Sequence, residues 1–194
     1  MTLKYAQINI IFFLTLMMLI VVDSIDAQSQ KDLDINHEFF TIDSGNLEKL
    51  KEIILKGVDV NIRNDNGHTR LWLAAIKGET SLLELLLKHG ADPNIKSGQG
   101  LISGFTPLHT LGLDRNPDWI KNSVPIAKLL IKYGADVNTR SDLGITPLDI
   151  AYSNAIGHPK LIGSLITFLK DNGALPNCDP NRNPKLSNSP CDKK

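Results

Sequence analysis

The chain has 194 residues, 21 basic and 21 acidic side chains, 42% hydrophobic residues and two cysteines. This composition is typical of one globular domain or a short repeat array, and two cysteines are too few for a four-thiolate zinc site. A formal net charge of +0 argues against a nucleic-acid-binding protein, because phosphate groups are bound mostly by clustered Lys and Arg.

The first predicted element is an apolar segment from Ile8 to Val22 that has no charged residue and follows Lys4. It is shorter than the roughly 18 residues expected of a membrane span and fits the apolar core of a secretory signal peptide. We expect cleavage after Ala27, so that residues 1–27 are a signal peptide and the mature chain is exported. The alternative is an uncleaved segment that anchors the chain in a membrane.

A short motif then recurs along the chain. Each copy has a Gly followed four residues later by an Asn, and each follows an apolar run with helical spacing. The four copies are Gly57–Asn61, Gly90–Asn94, Gly134–Asn138 and Gly173–Asn177. Since Gly57 and Gly90 are 33 residues apart and the later spacings are 44 and 39, we expect insertions in the later repeats.

A second motif, G-x-T-P-L, runs in phase with the first and begins at Gly104 and Gly144, with a weaker copy at Gly67. The Thr of this motif suits the position before a helix, where it accepts from free amides, and the Pro suits the first helical position. The pattern therefore predicts repeats that each contain two helices followed by an extended finger.

Together the two motifs resemble the ankyrin repeat family, over about residues 34–177. The resemblance implies an all-α solenoid of about four helix-turn-helix repeats with β-hairpin-like fingers. We expect repeats at residues 34–66, 67–99, 104–143 and 144–177. The first and last are atypical and suit the two ends of a repeat array, and the third has an insertion between its helices.

The resemblance also implies that partners dock on the concave face, which the finger tips and first helices form. Large apolar residues at finger positions predict an exposed patch there, made of Leu101, Ile102, Phe105, Leu143 and Ile145. The alternative is that the longer second finger folds back and buries them.

Three further residues are candidates for partner binding. His68 belongs to the tip of the first finger. Trp72 replaces the His of the family motif, and it either faces the groove or packs against the next repeat. Trp119 lies in the insertion of the third repeat, and it is either a binding anchor or a lid over its own repeat.

The sequence has no pattern typical of an enzyme. No two histidines have the i, i+4 spacing of a metal-binding helix, and neither a phosphate loop nor a G-x-S-x-G elbow is present. His109 belongs to the repeat motif, where the resemblance implies a structural role. We therefore predict no catalytic residue, metal or cofactor.

The tail, residues 178–194, is rich in Pro, Asn and Ser and is predicted to be a loop. If the protein is exported, its two cysteines, Cys178 and Cys191, most simply form a disulfide.

We expect an exported, non-enzymatic protein that is monomeric when free and binds another protein, with no nucleic-acid partner. Its resemblance to exported ankyrin proteins of bacteria suggests an inhibitor, immunity or chaperone-like partner of a periplasmic or secreted protein. The alternative is a secreted effector that binds a host protein through the concave face. Contact with a membrane is expected only if the signal segment stays uncleaved.

Overall fold

The computed structural model describes residues 2–43, 45–98, 100–113, 120–155 and 159–175, with the backbone alone for residues 2–16, 19 and 101. Across these ranges the helices are α1 (Thr2–Thr41), α2 (Leu47–Leu55), α3 (Arg70–Ile76), α4 (Thr80–Lys88), α5 (Pro107–Thr110), α6 (Ser123–Lys132), α7 (Pro147–Asn154) and α8 (Pro159–Asp171), with a 3₁₀ turn at Gly100–Ile102. No β-strand occurs within them, which confirms the predicted all-α class.

The chain divides into two compact units, residues 1–42 and 43–194. The first unit is the single helix α1, which runs through the apolar segment and past Ala27 without a break. Its continuity has a simple cause, since no Gly or Pro occurs between Thr2 and Thr41. None of the helices formed by the described residues has an apolar stretch long enough to cross a membrane.

The second unit is built from pairs of helices: α3 with α4, α5 with α6, and α7 with α8. The first helix of a pair begins at a capping threonine. Thr69 Oγ1 accepts from the Trp72 amide at 3.2 Å, and Thr146 Oγ1 accepts from the Asp149 amide at 3.2 Å. Pro107 and Pro147 occupy the first helical turn, as the motif predicts.

Successive pairs stack in two layers, one of first helices and one of second helices. The first layer buries an equivalent leucine from each of the last three repeats, and the second layer buries an equivalent leucine or isoleucine from all four. In the first layer these are Leu71, Leu108 and Leu148, and in the second they are Ile53, Leu86, Leu130 and Leu169, all at most 2% exposed. Truncating one such side chain to Ala typically costs about 2 to 5 kcal/mol, so these residues define the core.

A ladder of asparagines joins the repeats just after the second helices. Asn94 donates from Nδ2 to the carbonyl oxygen of Gly134 at 2.9 Å and accepts at Oδ1 from the Asp136 amide at 2.8 Å. Asn61 and Asn138 make the same pair of bonds to the repeats that follow them. Each rung satisfies a carbonyl oxygen and an amide of the turn that follows the second helix of the next repeat.

Three fingers connect the repeats, at residues 62–68, 95–105 and 139–145. In each finger a backbone amide near the start donates to a carbonyl oxygen at the end: Asn64 to His68 at 3.0 Å, Ser97 to Phe105 at 2.7 Å and Ser141 to Ile145 at 2.9 Å. A second backbone bond runs back, from the amides of Gly67, Gly104 and Gly144 to the carbonyl oxygens of Asn64, Ser97 and Ser141. The side-chain oxygens of Asn64, Ser97 and Ser141 also accept hydrogen bonds, from the amides of His68, Phe105 and Ile145 respectively. The second finger is longer and contains the 3₁₀ turn.

Candidate protein-binding surface

Neighbouring fingers are held together by direct contacts. The Arg63 guanidinium of the first finger donates to the carbonyl oxygen of Lys96 in the second. Between the second and third fingers, the Ser103 hydroxyl donates to the Asp142 carboxylate, and the Asp142 amide donates to the Ser103 carbonyl oxygen at 3.4 Å. The three fingers therefore form one continuous edge of the solenoid.

His109 links the third repeat to the finger that follows it. Its Nδ1 accepts from the Thr106 amide at 3.1 Å, so the proton of the neutral ring is on Nε2, which donates to the Ile145 carbonyl oxygen at 3.0 Å. Burial is the main reason why the pKa of His109 is lowered to about 4. The ring is neutral near pH 7, and its predicted structural role is confirmed.

The fourth and second repeats have other residues at this position. In the fourth, Asp149 accepts at Oδ2 from the amide and hydroxyl of Thr146, at 3.0 Å and 2.9 Å. In the second, Trp72 is 4% exposed, and its buried Nε1 has no hydrogen-bond partner among the described residues. The residue that bonds to the next finger in the third repeat is thus replaced in the second and fourth repeats.

The prediction that Phe105 is part of an exposed patch is wrong. Phe105 is 3% exposed, and its ring stacks on His109 with a centroid distance of 5.0 Å and an interplanar angle of 22°. Its amide also donates to Ser97 Oγ at 3.2 Å. The Phe105 ring turns inward because stacking on the His109 ring removes more of its apolar surface from water than a solvent-facing position would.

The other predicted patch residues differ in exposure. Leu143, at the tip of the third finger, is 63% exposed, and Ile102 and Ile145 are half-buried. The backbone of Leu101 lies in the 3₁₀ turn, and its side chain is outside the described part of the structure. The structure thus keeps a smaller apolar patch on the second and third fingers.

His68 and Trp72 lie together. Their rings are stacked with a centroid distance of 4.0 Å and an interplanar angle of 7°, with His68 half-buried and Trp72 buried. Trp72 therefore does not line an open groove in this structure. Trp119 lies outside the described residues, as do Cys178 and Cys191, so their roles stay predictions.

Two partly exposed apolar residues outside the fingers were missed by the sequence reasoning. Ile76 and Leu113 are half-buried, and each lies seven residues after the capping threonine of its repeat, at the end of the first helix or just beyond it. The sequence signal for them is an apolar residue at the same position in two successive repeats. We call the finger residues Ile102, Leu143 and Ile145 the finger surface.

The finger surface has the features of a recognition site rather than a reaction centre. It combines partly exposed apolar side chains with fingers that hydrogen bonds hold in place, and such preorganised apolar patches mark protein-binding surfaces. Within the ranges that the structure describes, no group of three or more His, Cys, Asp and Glu side chains could hold a metal ion.

Comparison with protein families gives two matches. A model described as ankyrin repeats in three copies matches residues 39–116, and a single ankyrin repeat matches residues 103–142. Together they cover residues 39–142, which contain α2 to α6 and the first two fingers. The predicted repeat family is confirmed, and with it the all-α solenoid.

The chain is also similar to segments of several curated proteins. It is 35% identical over 102 residues to the inactive serine/threonine-protein kinase TEX14 of Bos taurus, which covers 53% of this chain and 6% of that protein. It is 45% identical over 51 residues to the NF-kappa-B inhibitor cactus of Drosophila melanogaster, covering 26% and 10% of the two chains. A putative ankyrin repeat protein of Rickettsia bellii is 38% identical over 65 residues, covering 30% and 39%. The chain thus spans less than half the length of each.

Proposed function

Because this chain contains ankyrin repeats, we propose that it is a non-enzymatic module that binds another protein through the finger surface. The observation that carries the proposal is Leu143, a large apolar side chain that is 63% exposed at the tip of a finger held in place by the Ser103 to Asp142 bond. A rigid finger loses little conformational entropy when a partner covers its apolar tip.

The relatives support binding as the mode of action. This chain resembles a segment of a protein named as an inhibitor and a segment of a protein named as an inactive kinase. The proposed function is inhibition or chaperoning of a partner by occupying its surface. This needs shape and hydrogen-bonding complementarity but no reactive group.

The proposed site of action is outside the cytoplasm, in the periplasm or secreted. The support is the uncharged apolar segment after Lys4, which fits a signal peptide by its length. N-terminal sequencing of the protein from its natural source tests this part. A mature terminus at Gln28 is expected, whereas an intact Met1 in protein from the soluble cytoplasmic fraction would contradict export.

Photo-cross-linking tests the binding surface directly. A photoreactive amino acid placed at position 143 should cross-link one protein reproducibly in extracts of the source organism. Leu55 offers a matched control, because it is 72% exposed and lies on α2, a second helix away from the fingers. Equal cross-linking of the same protein from positions 143 and 55 would show that the finger surface is not its binding site.

A further inference from the structure

Two aromatic pairs occupy equivalent places in successive repeats. In each pair, the last residue of a finger stacks on a residue in the first turn of the helix that follows. His68 stacks on Trp72 in the second repeat, and Phe105 stacks on His109 in the third. The histidine of the second-repeat pair, His68, belongs to the finger, whereas the histidine of the third-repeat pair, His109, belongs to the helix.

The two histidines differ in how they are held. Both ring nitrogens of His109 have partners, namely Thr106 and the carbonyl oxygen of Ile145. His68 has a buried Nδ1 with no hydrogen-bond partner among the described residues. Protonating His68 in place would create a buried N–H without an acceptor, which is costly, so the burial of Nδ1 favours the neutral form of the stacked ring.

A charged neighbour of His68 also disfavours a positive charge there. Burial is the larger cause of the lowered pKa of His68, and Arg63 of the same finger lowers it further. The second finger approaches through Gly98, which packs against Gly67, and the buried Arg70 on the helix side interacts with Glu79 and Asp43. The acidic residue of the first finger, Asp65, is exposed at its tip.

We propose that His68 is a pH-sensitive cover over Trp72, which leaves the stack on protonation and exposes the indole ring as a binding anchor beside the first finger. Once uncovered, Trp72 offers an apolar face and an N–H whose hydrogen-bonding capacity is unused in the stacked state. The complementary group on a protein partner is a backbone carbonyl oxygen. This inference goes beyond the proposed function, and its test uses the free chain alone.

Tryptophan fluorescence of the Trp119→Phe protein isolates Trp72, because the chain has two tryptophans. As the pH falls from about 8 to about 5, the emission should shift to the red and the acrylamide quenching constant should rise roughly twofold, as the indole becomes solvated. Since the pKa of His68 is lowered from 6.5, the midpoint should lie below pH 6.5. Far-UV circular dichroism should show unchanged helix content.

Two variants in the same background complete the test. The His68→Phe variant keeps a ring that stacks without titrating, so its quenching should not depend on pH. The His68→Ala variant should be strongly quenched at both ends of the range. A flat profile in the parent protein, an equal change in His68→Phe, or a change that coincides with loss of helix would each overturn the proposal.

Discussion

The Nε2 atom of His109 lies 3.0 Å from the carbonyl oxygen of Ile145, across the junction between the third and fourth repeats. This bond fixes the third finger relative to the helix below it. Leu143 at the tip of that finger is thereby placed by a fully buried ring in the repeat before it. The position of the proposed binding residue thus depends on a hydrogen bond made by a core histidine.

The first prediction concerns pH. His109 has a pKa of about 4 in the folded chain and about 6.5 when unfolded, so below pH 6.5 the unfolded state binds the proton more readily. The stabilisation is complete above pH 6.5 and is lost as the pH falls toward 4, by up to about 3 kcal/mol. Urea unfolding at a series of pH values measures it. His109→Gln should show a shallower pH dependence over this window, and identical slopes would contradict the assignment.

The second prediction concerns the asparagine ladder. Asn94→Ala should lower the free energy of unfolding by about 0.5 to 1.5 kcal/mol, because the Gly134 carbonyl and the Asp136 amide both exchange a protein partner for water. Chemical denaturation measures the loss. Asn66→Ala is the control, since Asn66 is exposed in the first finger and outside the ladder. Equal losses in the two variants would show that the rung adds nothing.

The third prediction concerns close contact between fingers. Gly104 has a φ of +77°, and a Cβ there would overlap the backbone nitrogen and carboxylate of Asp142. Gly90 has a φ of +90° with nothing within 4 Å of a Cβ, so it isolates the backbone strain alone. Gly104→Ala should therefore lower the melting temperature clearly more than Gly90→Ala. Thermal melts that agree for the two would argue against the tight packing of these fingers.

The sequence allowed much of the fold to be predicted, because the repeats follow strong local rules. The leucine of the G-x-T-P-L motif enters the core in the second, third and fourth repeats, and the capping threonines and helix-ending glycines lie where their chemistry requires. The binding surface was harder to predict. Phe105 and Ile145 share one motif position, yet Phe105 is buried and Ile145 is half-buried. Phe105 has an aromatic ring to stack on, that of His109, whereas the equivalent residue for Ile145 is Asp149, and no spacing rule captures this difference.

The fourth prediction concerns the tail. If Cys178 and Cys191 form a disulfide, peptide mass spectrometry without reduction should find them linked, with no free thiol. Closing a loop of this length stabilises a chain by about 3 kcal/mol in the entropic model. The bond lies outside the repeats, so reduction should leave the helical content of the solenoid unchanged. If a thiol reagent labels both cysteines fully in protein purified without reductant, the predicted disulfide is absent.

The central claim is that the finger surface binds a protein partner, and an affinity comparison tests it most directly. With the cross-linked partner in hand, Leu143→Asp should weaken binding about 30-fold or more, the effect of removing an anchor worth about 2 kcal/mol. The matched variant Leu55→Asp, which places the same charge on the similarly exposed Leu55, should bind like the parent protein. If Leu143→Asp retains the parent affinity, or if Leu55→Asp loses as much, the partner binds elsewhere and the account is contradicted.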